Sequence, residues 1–339
     1  MSPGGTSKDH PALILGLGSY APDKTLTNED FARTLDTSDE WITARTGIKH
    51  RHIAAREQST SDLAAQAARA ALKDAHLTPA DLDLILVATF SPDYITPATA
   101  CVVQEKLGLG PRGTPACDVD AACTGFLYTL ATAKAFIECG QARTVLVVGA
   151  ETISRFTDYE DRSTCILFGD AAGAAVVGAP RPGARRHALR AVKLWADGRG
   201  ADLIITPAGG AARPASAGTV AERLHFLRMK GREVFRFAVP CFTGMLEEIM
   251  RLHHLNGSDI GAIIPHQANI RIIEAAAERL GLPHELFLTN LAEYGNTSSA
   301  SIPLMWDEAY RAGRLPAGKP LILLAFGGGL TWGWALIEW

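Results

Sequence analysis

Three residues of this 339-residue chain carry side chains suited to nucleophilic and hydrogen-bonding catalysis in settings that would hold them at the edge of a sheet: Cys123, His266 and Asn296. Cys123 follows an apolar strand pattern over residues 114–119 and precedes an amphipathic helix pattern through Phe126, Leu127, Leu130, Ala131, Ala133 and Ala135, with Gly140 as the stop. That spacing puts the thiol at a helix N-terminus, where free N–H groups and the helix dipole favour thiolate, the form that attacks carbonyls. Asp120, three residues earlier, suits a cap for the intervening turn. His266 comes just past the apolar run Ile263-Ile264-Pro265, at the kind of strand end where α/β proteins assemble sites. Asn296 lies in Tyr294-Gly295-Asn296-Thr297-Ser298-Ser299-Ala300, a turn entering a helix through Ala300, Leu304, Asp307 and Ala309, and a capping role suits it equally. For each the ordinary alternative is structural, since most cysteines and histidines only pack or hydrogen-bond. Gly327-Gly328-Gly329 stands between two strand patterns, as a tight hairpin, a close backbone approach to a ligand, or both.

The elements that must position these residues come in two copies. Leu77-Thr78-Pro79-Ala80-Asp81-Leu82 and Leu255-Asn256-Gly257-Ser258-Asp259-Ile260, 178 positions apart, each read as a helix exit and an acidic turn before a strand. Gly140 to Gly149 falls on Gly318 to Gly327 at the same offset of 178. We read a tail over 1–10 and two α/β units, 11–185 and 186–339, with continuous apolar strands of the doubly covered kind. The offset carries Cys123 near Ser301, so the two loop-to-helix junctions are expected to face each other. Segments 180–186 and 207–218, rich in Gly, Pro and Ala or Arg, read as surface connections.

A hydrophobic content of 47% supports an ample core, and a net charge of −3 gives no global attraction to nucleic acid or anionic membrane. No apolar run is long enough to span a bilayer and Met1 to Pro11 lacks a signal-peptide core, so a cytoplasmic protein is expected. Six cysteines without a C-x-x-C pair argue against disulfides and a zinc site; Cys117, on the strand before Cys123, is expected in the core. His253-His254 are adjacent and make a poor metal pair, so no metal is expected. Gly16-Leu17-Gly18 lacks the third glycine of a dinucleotide fingerprint and reads as a strand-ending turn, with no NAD implied.

Cysteine, histidine and asparagine together also describe papain-like hydrolases, so residue types alone leave both chemistries open. The surrounding words are more specific. Asp-Ala-Ala-Cys-Thr-Gly-Phe around Cys123, Pro-His-Gln-Ala-Asn at His266, Gly-Asn-Thr-Ser at Asn296 and the terminal Gly-Gly-Gly-Leu-Thr-Trp-Gly resemble the β-ketoacyl-acyl-carrier-protein synthase III family of the thiolase superfamily. Thr37-Ser38-Asp39-Glu40-Trp41-Ile42, Arg45-Thr46-Gly47-Ile48, Asp161-Arg162, Phe168-Gly169-Asp170 and Met229-Lys230-Gly231 extend the likeness over almost the whole chain. It implies an α/β, thiolase-like fold of two duplicated halves forming a layered αβαβα core. The implied reaction is a decarboxylating Claisen condensation of an acyl-CoA primer with malonyl-acyl-carrier protein, starting type II fatty-acid synthesis. Acyl-CoA is then a substrate, and no cofactor is implied.

By the same resemblance Cys123 is the nucleophile, and the N–H groups of Cys123 and Gly328 form the oxyanion hole. A β-carbon at the middle glycine would crowd the thioester. His266 and Asn296 serve the enolate, which requires a neutral imidazole donating from one nitrogen and an amide that donates without titrating. Trp41 and Arg162 match the pair that sandwiches the CoA adenine, with Thr37, Arg45, Gly231 and Asn269 as further CoA contacts. Thr96 and Phe326 fall in the acyl pocket. Arg232, Arg236 and Arg271 match the carrier-protein docking patch, within a basic stretch over 223–236 whose alternative is a solvated helix face.

Several departures bear on specificity. Glu278 stands where relatives often place lysine in the docking patch, and Arg232 replaces a commoner asparagine. Thr96 replaces a phenylalanine often found in acetyl-specific members, on a segment that crosses the dimer interface in the family. A homodimer is therefore expected, with primers longer or more branched than acetyl, unless Tyr94 or Ile95 fills the space. Degradative thiolases need a second cysteine near the C-terminus, and none follows Cys241. Elongating synthases place a second histidine where Asn296 stands. A relative recruited to secondary metabolism, for starter condensation or acyl transfer, is the nearest alternative.

Overall fold

The computed structural model describes residues 11–181, 183 and 187–339; the tail over 1–10 and part of the 180–186 connection, including the boundary at Arg186, lie outside the described residues. Nine strands form one sheet: β1 Leu13–Tyr20, β2 Leu84–Ala88, β3 Ala116–Val119, β4 Thr144–Glu151, β5 Ala171–Gly178, β6 His187–Ala196, β7 Ala262–Pro265, β8 Pro320–Gly327 and β9 Thr331–Glu338. Their spatial order is β7-β8-β9-β6-β1-β5-β4-β2-β3. Going outward from the centre, β1-β5-β4-β2 and β6-β9-β8-β7 run through the same sequence of two antiparallel pairs and one parallel pair. Between the two runs only Leu13 and Ile14 pair, with Ala188 and His187.

Period-two burial turns this sheet into layers. On β4, Val145 and Val147 enter one core while Leu146 and Val148 enter another. The first core also takes Leu321, Leu323 and Ala325 from β8, so it lies between the two runs of strands. It is filled by helix Gly125–Glu138, through Phe126, Leu127, Leu130 and Ile137, and by helix Ser301–Arg311, through Ile302, Met305 and Trp306. Helices Thr60–Asp74 and Thr99–Lys106 cover the outer face of the first run. The outer face of the second run, with Ile322, Leu324 and Phe326, is covered by helices Gly231–Leu252 and Ile270–Leu280. The result is the αβαβα layering of the thiolase-like fold.

Local structure follows the repeated words. Before β2 and before β7 stands a short 3-10 turn, Pro79–Asp81 and Gly257–Asp259, each opened by a capping box, Thr78 with Asp81 and Asn256 with Asp259. At the site the spacing differs from the expected 178. Ala122 (φ 46°) and Ser298 (φ 48°) both adopt the left-handed conformation at the start of matching 3-10 turns, 176 positions apart. Cys123 therefore corresponds to Ser299 rather than Ser301, because the second copy is two residues shorter between its strand and this turn. Gly16-Leu17-Gly18 is also not a strand-ending turn. Both glycines lie within β1, where a β-carbon would come within 2.5 Å of the Ala71 carbonyl oxygen at Gly16 and 2.2 Å of the Ala71 nitrogen at Gly18. Cys117 is exposed rather than core, since β3 is an edge strand.

Candidate active site

Cys123 sits in the 3-10 turn Ala122–Thr124, at the mouth of the helix Gly125–Glu138. Asp120 accepts the Ala122 N–H at 3.1 Å, the capping role its position suggested. The facing junction supplies Ser298, whose hydroxyl donates to the Cys123 sulfur at 3.3 Å. From below, Gly327 closes on the cysteine so tightly that a β-carbon there would lie 2.9 Å from both the Cys123 nitrogen and its Cβ. At Gly328 a β-carbon would meet protein only at 3.5 Å or beyond, so the close main-chain approach to the cysteine belongs to the first glycine of the three. Beyond them the chain turns as a hairpin from β8 into β9, pairing Gly327 with Thr331. We expect Gly327→Ala to lose about 1–3 kcal/mol of stability, because the contacted atoms are largely backbone, and Gly328→Ala to lose much less. Thermal melts of the two variants compare them directly.

A cavity of about 480 Å³ opens over the thiol. Cys123, Asn296, Ser298 and Gly328 line it, with Phe90, Phe168, Ile204, Ile205, Leu227 and Met229 as its apolar wall. Asn296 pairs with Phe168 as an isolated parallel bridge, and its Oδ1 accepts the Ser298 N–H at 2.9 Å. That bond orients the amide: its NH2 has no partner among the described residues and is the group left for the cavity. Asn296 is thus not the N-cap, which is Thr297; it braces the start of the turn through its Oδ1 and presents a donor at once. The Gly328 N–H is also without a hydrogen bond among the described residues.

His266 is not among the residues that line this cavity; it is 1% exposed, with Nδ1 2.7 Å from the Ser301 hydroxyl and its ring edge-on to Phe326, centroids 6.0 Å apart. Burial pushes its pKa down to about 3, so the ring is neutral at physiological pH. Cys123 departs from expectation. Burial pushes the thiol up to about 12, against the Ser298 hydrogen bond, with the Glu151 carboxylate adding to the rise. Desolvation outweighs the helix N-terminus here, and the resting group is a thiol. Alkylation of Cys123 is accordingly expected to accelerate about tenfold per pH unit from pH 7 to 10. Peptide mass spectrometry after iodoacetamide treatment measures this, and a plateau near pH 7 would indicate a preformed thiolate.

Glu151, at the end of β4, escaped the sequence reading. Fully buried, it accepts from the Thr89, Ser91 and Ser299 hydroxyls and the Phe90 and Ser91 N–H groups, and burial raises its pKa to about 7. It ties the Phe90 wall to the turn that carries Ser298. Ser298 itself stood inside a quoted motif, but its left-handed backbone is not legible from its residue type.

Four of the residues assigned to CoA, Trp41, Arg45, Arg162 and Asn269, gather at a second cluster. Arg45 and Arg162 lie over the Trp41 ring at 4.1 and 5.0 Å, and the Arg162 guanidinium is held by the Asp36 carbonyl. Asn269 donates to the Arg45 carbonyl at 2.9 Å while capping the helix that begins at Ile270. The Thr37 hydroxyl has no partner among the described residues. Gly231 starts the helix Gly231–Leu252, and Arg232, Arg236 and Arg271 are exposed. The other bases of 223–236 are engaged: Arg223 with Asp158 and Glu160, Lys230 with Asp202, and Arg228 with the Glu222 carbonyl. The stretch is also not one helix face, since it runs through a turn and the strand Arg228–Met229.

Two acyl-pocket assignments do not reach the cavity of their own chain. Phe326 is buried against His266, Phe237 and Phe242 because its strand position faces the outer helices. Thr96 is exposed, next to Tyr94 (61% exposed) and Ile95 (89%).

Residues 117–198 match the family described as 3-oxoacyl-[acyl-carrier-protein (ACP)] synthase III, and residues 250–339 match its C-terminal part. The β-ketoacyl-[acyl-carrier-protein] synthase III of Caldanaerobacter subterraneus subsp. tengcongensis is 50% identical over 328 residues, 97% of this chain and 98% of the relative. The crystal structure of 3-oxoacyl-[acyl-carrier-protein] synthase III from Aquifex aeolicus aligns with a TM-score of 0.87 at 43% identity, covering 97% of this chain and 100% of that one. The priming β-ketosynthase of the R1128 polyketide pathway has the same TM-score of 0.87 at 34% identity, over 99% and 98% of the two chains. Full-length identity at this level, on a fold that brings a cysteine, an asparagine amide and a glycine N–H to one cavity, places the chain in the 3-oxoacyl-[acyl-carrier-protein] synthase III family.

Proposed function

We propose that this protein condenses an acyl-CoA primer with malonyl-acyl-carrier protein, releasing CoA and carbon dioxide and initiating fatty-acid synthesis. The observation that carries the reading is one cavity where the Cys123 thiol, the free amide of Asn296 and the Gly328 N–H meet, with a neutral His266 held against Ser301 just past the turn that bears Ser298. In the first half-reaction the Cys123 sulfur attacks the primer thioester. Its proton leaves with the departing CoA sulfur, and the Cys123 and Gly328 N–H groups hold the oxyanion. In the second, malonyl-acyl-carrier protein loses carbon dioxide. Asn296 and His266 hold the enolate oxygen while its carbon attacks the acyl group; the carbon–sulfur bond to Cys123 breaks, and the departing thiolate takes up a proton from solvent to restore the thiol. Trp41 and Arg162 receive the adenine, for which the side chain of Arg162 must swing away from the indole. Thr37, Arg45, Gly231 and Asn269 contact the rest of CoA; Arg232, Arg236 and Arg271 receive the acidic carrier protein.

The protein acts as a homodimer, with Thr96 reaching the partner's cavity. The exposed Tyr94 and Ile95 beside the edge strand β3 support this, because a lone chain would leave them in water. The chain divides at 185/186 into its two halves, as the repeated strand order suggests. A polyketide-priming role is the weaker reading, at 34% identity against 50%. The test is intact-protein mass spectrometry with a panel of acyl-CoAs, followed by a malonyl-acyl-carrier-protein chase. We expect an adduct that disappears into ketoacyl product, with C4 to C8 primers exceeding acetyl-CoA in kcat/KM. Preference for acetyl would remove the larger-pocket assignment, and an adduct that survives the chase would point to acyl transfer onto another acceptor.

A further inference from the structure

Arg51 is fully buried, and among the described residues no carboxylate accepts a hydrogen bond from it. Its partners are neutral oxygens. Nε donates to the Ile166 carbonyl at 2.8 Å and Nη2 donates to the same oxygen, while Nη1 donates to Asn28 Oδ1 and, at 3.3 Å, to the Lys49 carbonyl. The guanidinium carbon lies 4.9 Å from the centroid of the Phe31 ring. Burial lowers the pKa to about 10, which still leaves the group charged at neutral pH. A buried charge without a countercharge is costly, and an apolar side chain of similar volume would fill this space without that penalty. The reason for an arginine lies in what it joins.

Both of its main partners lead to elements that carry residues assigned to CoA. Ile166 is the C-cap of the short helix Arg162–Cys165, whose first residue is Arg162. Asn28, also fully buried, donates through its NH2 to the Asp39 carboxylate at 2.7 Å and to the Ile48 carbonyl at 2.8 Å. Asp39 opens the helix Asp39–Thr46, which carries Trp41 and Arg45. An unbroken line of hydrogen bonds thus runs from the end of the Arg162 helix, through Arg51 and Asn28, to the start of the Trp41 helix. Water does not reach its two middle members. A planar guanidinium holds two acceptors in a fixed relative direction, which the point charge of a lysine does not do. The stem of Arg51 has a separate contact. A β-carbon at Gly295 would come within 3.1 Å of its Cγ, so a clean test keeps the stem and changes only the head.

The geometry points to Arg51, with Asn28, as a positioning pair that fixes the separation of the Trp41 and Arg162 helices and so sets the opening that receives the adenine of acyl-CoA. The inference rests on the reading of Trp41 and Arg162 as the adenine clamp. Neither member of the pair touches the ligand. They act through the two backbones they join, so their effect falls on the part of the substrate that the clamp holds.

Two thioesters of one acyl group separate this role from a general structural one. Butyryl-CoA carries the adenine, butyryl-pantetheine lacks it, and both acylate Cys123. Intact mass gives the rate of adduct formation at subsaturating thioester, and the wild-type protein should prefer butyryl-CoA. Arg51→Lys keeps the stem and a charge but loses the fork. It should lower acylation by butyryl-CoA on the order of tenfold and leave acylation by butyryl-pantetheine at the wild-type rate. Asn28→Ser shortens the other half of the connection and should show the same one-sided loss; it decides the matter should Arg51→Lys fail to fold. Equal loss with both thioesters in a folded variant would overturn the inference, because the pair would then support the fold in general. So would no loss with either. Trp41→Ala isolates the underlying reading. If that variant keeps the wild-type preference for butyryl-CoA, Trp41 does not receive the adenine and the inference falls with the clamp. If Trp41→Ala loses the preference while Arg51→Lys and Asn28→Ser retain it, the clamp stands and the positioning role alone is refuted.

Discussion

Replacing Cys123 by alanine is expected to remove the acyl adduct entirely and to lower ketoacyl formation by ~10³-fold or more, because no other thiol among the described residues lines the cavity. The five remaining cysteines do not compensate. Cys101, Cys117 and Cys139 are exposed on the surface, Cys165 is buried among Ile42, Ile48 and Ile166, and Cys241 belongs to the helix Gly231–Leu252 on the outer face. The alanine keeps the small volume that Gly327 demands, so the variant should fold. Intact mass after incubation with acyl-CoA is the measurement. A full adduct on Cys123→Ala would move the nucleophile elsewhere and dismantle the site.

The second large effect concerns Asn296. Its amide has a structural end, Oδ1 accepting the Ser298 N–H, and a free end, the NH2 on the cavity side. Asn296→Ala removes both. Asn296→Asp keeps the acceptor for Ser298 and removes only the donor, placing a carboxylate where an enolate oxygen must be stabilised. For both variants condensation should fall by ~10²–10³, about 3–4 kcal/mol of transition-state stabilisation. Acylation of Cys123, which the proposed mechanism assigns to the Cys123 and Gly328 N–H groups, should proceed in both. The aspartate variant should also keep its melting temperature, whereas the alanine variant loses about 1 kcal/mol with the Ser298 bond. Measuring adduct formation and ketoacyl product separately decides the matter; equal loss of both half-reactions would mean that Asn296 holds the whole site rather than the enolate.

Much of this arrangement was legible in the residues. The capped turns before β2 and β7 are written in Thr78 with Asp81 and Asn256 with Asp259, because capping is a local interaction between residues three apart. Continuous apolar strands announce a doubly covered sheet, and β2, β4, β7 and β8 are buried in that way. Local pattern failed where packing partners lie far off in the chain. Gly16 and Gly18 resemble a turn until the helix Thr60–Asp74 is laid across them, and Cys117 resembles a core residue until its strand proves to be an edge. Phe326 sits beside the triple glycine in sequence, yet strand alternation turns it towards His266 and the outer helices.

The sequence by itself determined the chemistry on offer: a thiol, an imidazole and an amide in settings suited to a nucleophile and two donors, and the duplicated α/β scaffold with its helix caps and apolar strands. These are properties of residue types and short spacings. The tertiary structure decided the electrostatic state and the geometry. The Cys123 thiol is raised to about 12 and His266 lowered to about 3 because burial removes water from both, and burial is a sum over residues from both halves of the chain. Only folding brings Ser298 to the Cys123 sulfur across 175 positions, Gly327 beneath the cysteine, Glu151 behind the cavity wall and Ser301 to the imidazole. Such contacts depend on how the two runs of strands pack around their shared pair of helices, and no local pattern encodes that packing.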